Sequence, residues 1–218
     1  MKTGILFDLD GTLLDTLQDL ADSTNYALGQ FGCPERSLAE IRSFVGNGAL
    51  NLMMQALPKD ENAPTPEELL AVFKPYYENH CQIKTAPYPG VADALAVVAG
   101  RYPVAIVSNK PDAAVKALCT EHFPGIYALG ETPDCPRKPA PDMLYKAMAQ
   151  LGVDRCVYVG DSEVDILTAK NADIPCLSVL WGFRDKGLLE TTGGSHFCSD
   201  ARDLPKMLET IIGEYNGK

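Results

Sequence analysis

A chain of 218 residues with 46% hydrophobic and 22% charged content can bury a full core, either as one large domain or as a core with a smaller inserted one. Its net charge of -10, with no basic stripe, excludes a nucleic acid or other polyanion as partner. No apolar run suits a membrane span or the h-region of a signal peptide, and the seven cysteines form no CxxC pair, so the expectation is a cytoplasmic protein with free thiols and neither zinc nor a disulfide framework.

The first element sets the chemistry. Ile5 to Leu9 is a short apolar run interrupted by Asp8 and followed by Gly11, the pattern of a buried parallel strand running into a turn. Asp8 and Asp10 lie two apart, so both carboxylates face one side of an extended chain. Two like charges buried together call for a cation, and a hard divalent ion such as Mg²⁺ meets that need.

A helical stretch follows. Asp15 with Gln18 reads as a capping box, with Leu17, Leu20, Ala21, Thr24, Ala27, Leu28 and Phe31 at helical spacing and Gly32 as the stop. Ser37 with Glu40 repeats the signature, Gly46-Asn47-Gly48 interrupts it, and a further helix runs through Leu50, Met53, Met54 and Leu57. Thr65 and Pro66 start another helix as its cap and first-turn residue. The Pro/Gly segment Ala86-Pro87-Tyr88-Pro89-Gly90 then suits a hinge.

Beyond the hinge, helices and short apolar strands alternate. Strands are predicted at 104–108, 126–129, 156–160 and 176–180, and helices at 91–99, 112–121, 141–151, 163–172 and 204–212. Such repeats imply right-handed parallel crossovers. The predicted fold class is therefore α/β, a doubly wound Rossmann-like parallel sheet with the first strand at or near its centre. Residues 1–15 and 86–218 would form this core, and residues 16–85 a small helical lid. His80, His122 and His196 share no metal-ligand spacing and read as surface or cap residues.

In open α/β sheets ligands bind outside the carboxyl ends of the strands. Asp8, Asp10, Ser108, Asn109 and Asp161 all fall at such ends, and Lys138 lies in the Pro-flanked loop Arg137-Lys138-Pro139-Ala140-Pro141. Asp161 and Asp165, one helical turn apart, join Asp8 and the Asp10 carbonyl in an oxygen-only set suited to Mg²⁺, with Asp161 the direct ligand and Asp165 the holder behind it. A phosphate could enter so acidic a site only with Mg²⁺, a fixed cation and neutral donors, which Lys138, Ser108 and Asn109 supply. Asp8 then suits the nucleophile and Asp10 the general acid/base. Asp15 reads as a helix cap, and Glu163 as a solvated first-turn acid.

Four motifs in this order, Asp8-Leu9-Asp10-Gly11-Thr12, Ser108-Asn109, Lys138-Pro139 and Gly160-Asp161 through Asp165, resemble those of the haloacid dehalogenase superfamily phosphatases over nearly the whole chain. The resemblance implies Asp8 as nucleophile, Asp10 as acid/base, Thr12, Ser108, Asn109 and Lys138 on the phosphate, and Asp8, Asp10, Asp161 and Asp165 on Mg²⁺. It also implies a small cap after the first motif. With only residues 110–137 between Asn109 and Lys138, the larger alternative cap of the family has no room.

The stretch Val45-Gly46-Asn47-Gly48-Ala49 is similar to the cap loop of phosphoglycolate phosphatases. Glycine there lets backbone amides approach a small anion, and Arg42 could meet a carboxylate, although a plain helix-breaking turn and a solvated charge read equally well. Asp173 stands where the family usually has glycine, and aspartate tolerates the left-handed cap. The expected partner is a small phosphorylated metabolite, most simply 2-phosphoglycolate, with no nucleic acid or membrane, acting on a monomer or homodimer. A phosphomutase of the β-phosphoglucomutase type and a phospho-accepting receiver module are the alternatives. The first lacks an Arg/Lys-rich cap loop here, and the second would be undone by an acid/base two residues from its phosphoaspartate.

Overall fold

The computed structural model describes residues 2–216. In chain order these form β1 (Thr3–Phe7), a two-residue strand β2 (Leu14–Asp15), four helices α1 (Leu17–Gln30), α2 (Leu38–Phe44), α3 (Gly48–Ala56) and α4 (Pro66–His80), and a second two-residue strand β3 (Ala86–Pro87). There follow α5 (Val91–Ala99), β4 (Val104–Pro111), α6 (Asp112–His122), β5 (Tyr127–Glu131), α7 (Asp142–Leu151), β6 (Arg155–Gly160), α8 (Glu163–Asn171), β7 (Cys176–Val179), α9 (Lys186–Thr192), β8 (His196–Cys198) and α10 (Leu204–Asn216).

The main sheet is parallel throughout, in the order β5-β4-β1-β6-β7-β8, so the first strand lies inside it with neighbours on both edges. Side chains alternate across a strand, and β1 shows the consequence. Ile5 and Phe7 pack into the layer that holds Val91, Leu95, Val115, Leu118 and Leu208 of α5, α6 and α10. Leu6 points the other way, toward Met143, Leu144 and Ala147 of α7 and Ala169 of α8. Both faces are covered, which is why these strands read as continuous apolar runs.

Helices α1 to α4 are inserted between β2 and β3, which pair antiparallel with Leu14 opposite Pro87 and Asp15 opposite Ala86. The two connections of the insertion are thus tied side by side. The buried Asp19 carboxylate strengthens the tie by accepting from the backbone N–H of Lys84 and Thr85 and from the Thr85 hydroxyl, at 2.9–3.0 Å. The capping boxes at Ser37/Glu40 and Thr65/Glu68 form, the latter with Pro66 in the first turn. Asp173 takes φ 56°, as its place at the end of α8 requires.

The first helix departs from expectation. Gln18 bonds Asp22 in place of a box with Asp15, Asp15 accepts from the Leu17 N–H, and the Thr16 hydroxyl is drawn to Asp10. Four elements were not predicted, β2, β3, α9 and β8. All are short, from two to seven residues, too brief to show a periodicity of their own. Among the described residues no helix is long and apolar enough to cross a membrane.

Candidate active site

Four strand ends converge on one cleft. Asp8 follows β1 directly, and the turn just after Asp10 depends on Gly11, at φ 82°, where a Cβ would lie 2.3 Å from an Asp161 oxygen. Asp161 follows β6, and Ser108, Asn109 and Lys110 are the last turns of β4 before Pro111. Lys138 comes from the loop between β5 and α7 and is buried in the middle of the acids. Its Nζ lies 2.7 Å from Asp8 Oδ1, 2.8 Å from Asp165 Oδ1 and 2.9 Å from the Tyr158 hydroxyl. Asn109 holds that loop in place, since its Oδ1 accepts from the Lys138 N–H at 2.8 Å and its Nδ2 donates to the Lys138 carbonyl at 2.9 Å.

Asp161 and Asp165 take different parts. Asp165 is fully enclosed and accepts from the Asp161 and Ser162 N–H groups, the Ser162 and Tyr158 hydroxyls and Lys138. Burial alone would raise its pKa, but Lys138 and these donors outweigh it and keep the carboxyl below its usual range. Asp161 has fewer donors, the Phe183 N–H at 2.7 Å and the Thr12 hydroxyl at 3.2 Å. Burial and the Asp165 charge push it up to about 7. Burial, with Asp165 behind it, likewise raises Asp8 well above the carboxylate range against the pull of Lys138.

The fold therefore favours a neutral Asp161. That contribution to stability is full at acid pH and is lost as the pH rises through about 7. In chelator, the protein should melt at a higher temperature at about pH 5.5 than at about pH 8, and Asp161→Asn should flatten this slope in thermal melts. An unchanged slope in the variant would place the titration elsewhere.

Oxygens of Asp8, Asp161 and Asp165 lie within 4.8 Å of one another, and Lys138 is the cation among them. Three buried carboxylates around one ammonium leave negative charge uncompensated, and all the donors are hard oxygens. That set fits a divalent cation of the Mg²⁺ type. Asp165, saturated by its donors, does not line the cleft, whereas Asp8 and Asp161 do.

Asp10 has its own cation, which the sequence reading missed. Lys110 is buried with Nζ 3.0 Å from Asp10 Oδ1, and it also meets the hydroxyl of Tyr77 from α4. The signal was available: Ser108 and Lys110 are two apart at a strand end, the spacing that puts Asp8 and Asp10 on one face. The Ser108 hydroxyl lies 3.4 Å from Asp10 Oδ2 and accepts from the Lys110 N–H. Tyr158 was also missed, although a tyrosine inside a buried strand needs a partner for its hydroxyl.

The insertion covers the cleft with Leu20, Val45, Ala49, Leu52, Phe73 and Tyr77, and the space enclosed is about 650 Å³ counting its open mouth. Gly46 and Gly48 also face it, at φ 124° and 81°, and the Gly46 carbonyl accepts from Asn109 Nδ2 at 3.2 Å. Arg42 and Asn47 are not part of this wall. The Arg42 guanidinium instead donates to the carbonyls of Gly182 and Phe183 at 2.6 and 2.9 Å. Arg184 answers from the core, donating to the carbonyls of Arg42 and Val45 at 2.9 and 2.6 Å.

These two arginines clasp the insertion to the loop after β7, and Glu163 is the counter-ion of Arg184 at 2.7 Å, more than a solvated first-turn acid. Thr12 stands behind Asp161, its carbonyl accepting from the Trp181 indole N–H, and does not line the cleft.

A family model for haloacid dehalogenase-like hydrolases matches residues 5–179. A phosphoglycolate phosphatase of Mesorhizobium japonicum is 37% identical to this chain, with 96% of this chain and 97% of that protein covered. One of Neisseria meningitidis is 30% identical over 97% of this chain and 94% of its own length. A crystal structure from Lactobacillus delbrueckii subsp. bulgaricus superposes with a TM-score of 0.87 at 37% identity, covering 95% of this chain and 99% of that one. With the motif residues at one rim of the sheet and the match spanning most of the chain, this protein belongs to the haloacid dehalogenase-like hydrolase family.

Proposed function

We propose that this chain is a Mg²⁺-dependent phosphatase of small phosphomonoesters, with 2-phosphoglycolate as its leading substrate, and that residues 16–85 act as a cap over a core of residues 1–15 and 86–218. One observation carries the reading: Asp8 and Asp10 open on the same cleft as Ser108, Lys138 and Asp161. Two carboxylates, a hydroxyl and a fixed ammonium there match the needs of phosphoryl transfer to an aspartate and then to water. The relatives named above, at 30% and 37% identity over nearly full length, support the choice of substrate.

Asp8 attacks the phosphorus, and Lys138 holds its carboxylate in place while offering charge to the phosphoryl oxygens. Ser108 binds one of those oxygens. Asp10, on the leaving-group side, protonates the departing alcohol and then takes a proton from the water that cleaves the phosphoaspartate. Asn109 acts as a positioning residue, fixing both the Lys138 loop and the Gly46 turn. Asp8, Asp161 and the Asp10 carbonyl would hold Mg²⁺, which when bound neutralises the acids and the phosphate charge. The apolar cap wall excludes water around the reacting group.

The test is initial-rate phosphate release from 2-phosphoglycolate, β-glucose-1-phosphate, nucleoside monophosphates, pyrophosphate and p-nitrophenyl phosphate, with chelator and with Mg²⁺ restored. The expected result is at least about a tenfold kcat/KM preference for 2-phosphoglycolate, about 1.4 kcal/mol in transition-state binding, and no turnover in chelator. Turnover that persists in chelator removes Mg²⁺ from the reaction, and comparable rates on every ester remove the substrate assignment.

A further inference from the structure

Three cations line the cleft among the described residues, and each already has partners. Lys138 is shared by Asp8 and Asp165, and Arg184 by Glu163 and backbone carbonyls of the cap. Lys110 is placed differently. Its Nζ sits between Asp10, on the leaving-group side of the site, and the Tyr77 hydroxyl of α4.

The cap around it offers Leu20, Leu52 and Phe73, none of which can meet a charge. Tyr77 is itself buried and stacked on Phe73 with ring centroids 5.2 Å apart, so the lysine's partner cannot swing away. An ester whose alcohol ends in an alkyl group would find this wall adequate, whereas one ending in a carboxylate needs a cation near Asp10.

We propose that Lys110 is the anchor for a carboxylate on the leaving alcohol, making the Asp10–Lys110–Tyr77 group the feature that selects phosphomonoesters of small hydroxy acids. The inference rests on the phosphatase reading above and names the contact that gives it specificity. It also relocates the carboxylate contact. Arg42 is turned onto the carbonyls of residues 182 and 183, whereas Lys110 faces the cleft itself. The Tyr77 hydroxyl, which accepts from the Lys110 ammonium, can donate its own proton to the same carboxylate.

The test compares the wild type with Lys110→Met on 2-phosphoglycolate and on ethyl phosphate, which has the same length without the carboxylate. The wild type should favour 2-phosphoglycolate in kcat/KM by about tenfold or more, and the variant should lose most of that ratio, chiefly through KM. Because both substrates are measured on one preparation, the ratio is independent of the fraction folded. Lys110→Gln, which keeps a polar group beside Asp10, serves as the second variant and should lose the ratio as well. An equal loss on both substrates overturns the assignment of Lys110 while leaving the phosphatase reading standing. A wild type that releases phosphate from neither ester overturns both.

Discussion

Asp8→Asn should lower kcat by roughly 10⁴-fold or more on every phosphomonoester the wild type hydrolyses. The amide keeps the shape of the carboxylate but cannot attack phosphorus, and no other carboxylate occupies its place. Asp10 is turned to Thr16 and Lys110, Asp161 to Phe183 and Thr12, and Asp165 is enclosed by Lys138, Tyr158 and Ser162. The loss should come without a loss of fold. Burial and the neighbouring acids act against a charged Asp8, so its removal relieves repulsion, and the melting temperature in chelator should hold or rise. Activity within about tenfold of wild type would exclude Asp8 as nucleophile. A fall in both melting temperature and activity would make Asp8 a structural residue first.

The sequence made the core legible because its signals are local. β1 is an apolar run that stops at two acids, and each later motif lies within a few residues of a predicted strand end or helix start. One rule, that ligands bind where parallel strands end, was enough to bring Asp8, Ser108 and Asp161 together without knowing the strand order. What stayed hidden depends on contacts between segments distant in the chain. Arg42 and Arg184 are 142 positions apart, and nothing in either neighbourhood signals that Arg184 binds the Arg42 carbonyl while Arg42 binds those of Gly182 and Phe183. Glu163 could be read only as a solvated acid until Arg184 was placed beside it.

Lys110 is an intermediate case. Its spacing from Ser108 marks the face it occupies, but its partner Tyr77 lies on a helix of the insertion, and only the fold brings the two together. The cap is harder to read in general for this reason. The core residues are fixed by strands that end at one rim, whereas the cap side chains are placed by how four helices pack and by where a two-strand ribbon lets them come to rest.

Lys138→Met should be the most destabilising single change in the cleft. The methionine fills the same volume, and the loop should stay in place because Asn109 holds the backbone of residue 138. The charge is what is lost. Asp8 and Asp165 would be left buried without their shared ammonium, and breaking a buried pair in this way costs about 3–5 kcal/mol. In a chain of this size that is a drop of roughly 6–20 °C in melting temperature at about pH 8 in chelator.

The sign with pH follows from the acids. Without Lys138 they are stabilised by protonation, so the deficit relative to wild type should shrink as the pH is lowered toward about 5. Adding Asp165→Asn to the same chain should recover part of the loss, since the two positions are in direct contact and their effects are not additive. Neither variant should release phosphate from any ester. A Lys138→Met protein that melts within about 2 °C of wild type at about pH 8 would mean that water reaches these carboxylates and that Lys138 is no keystone of the acid cluster.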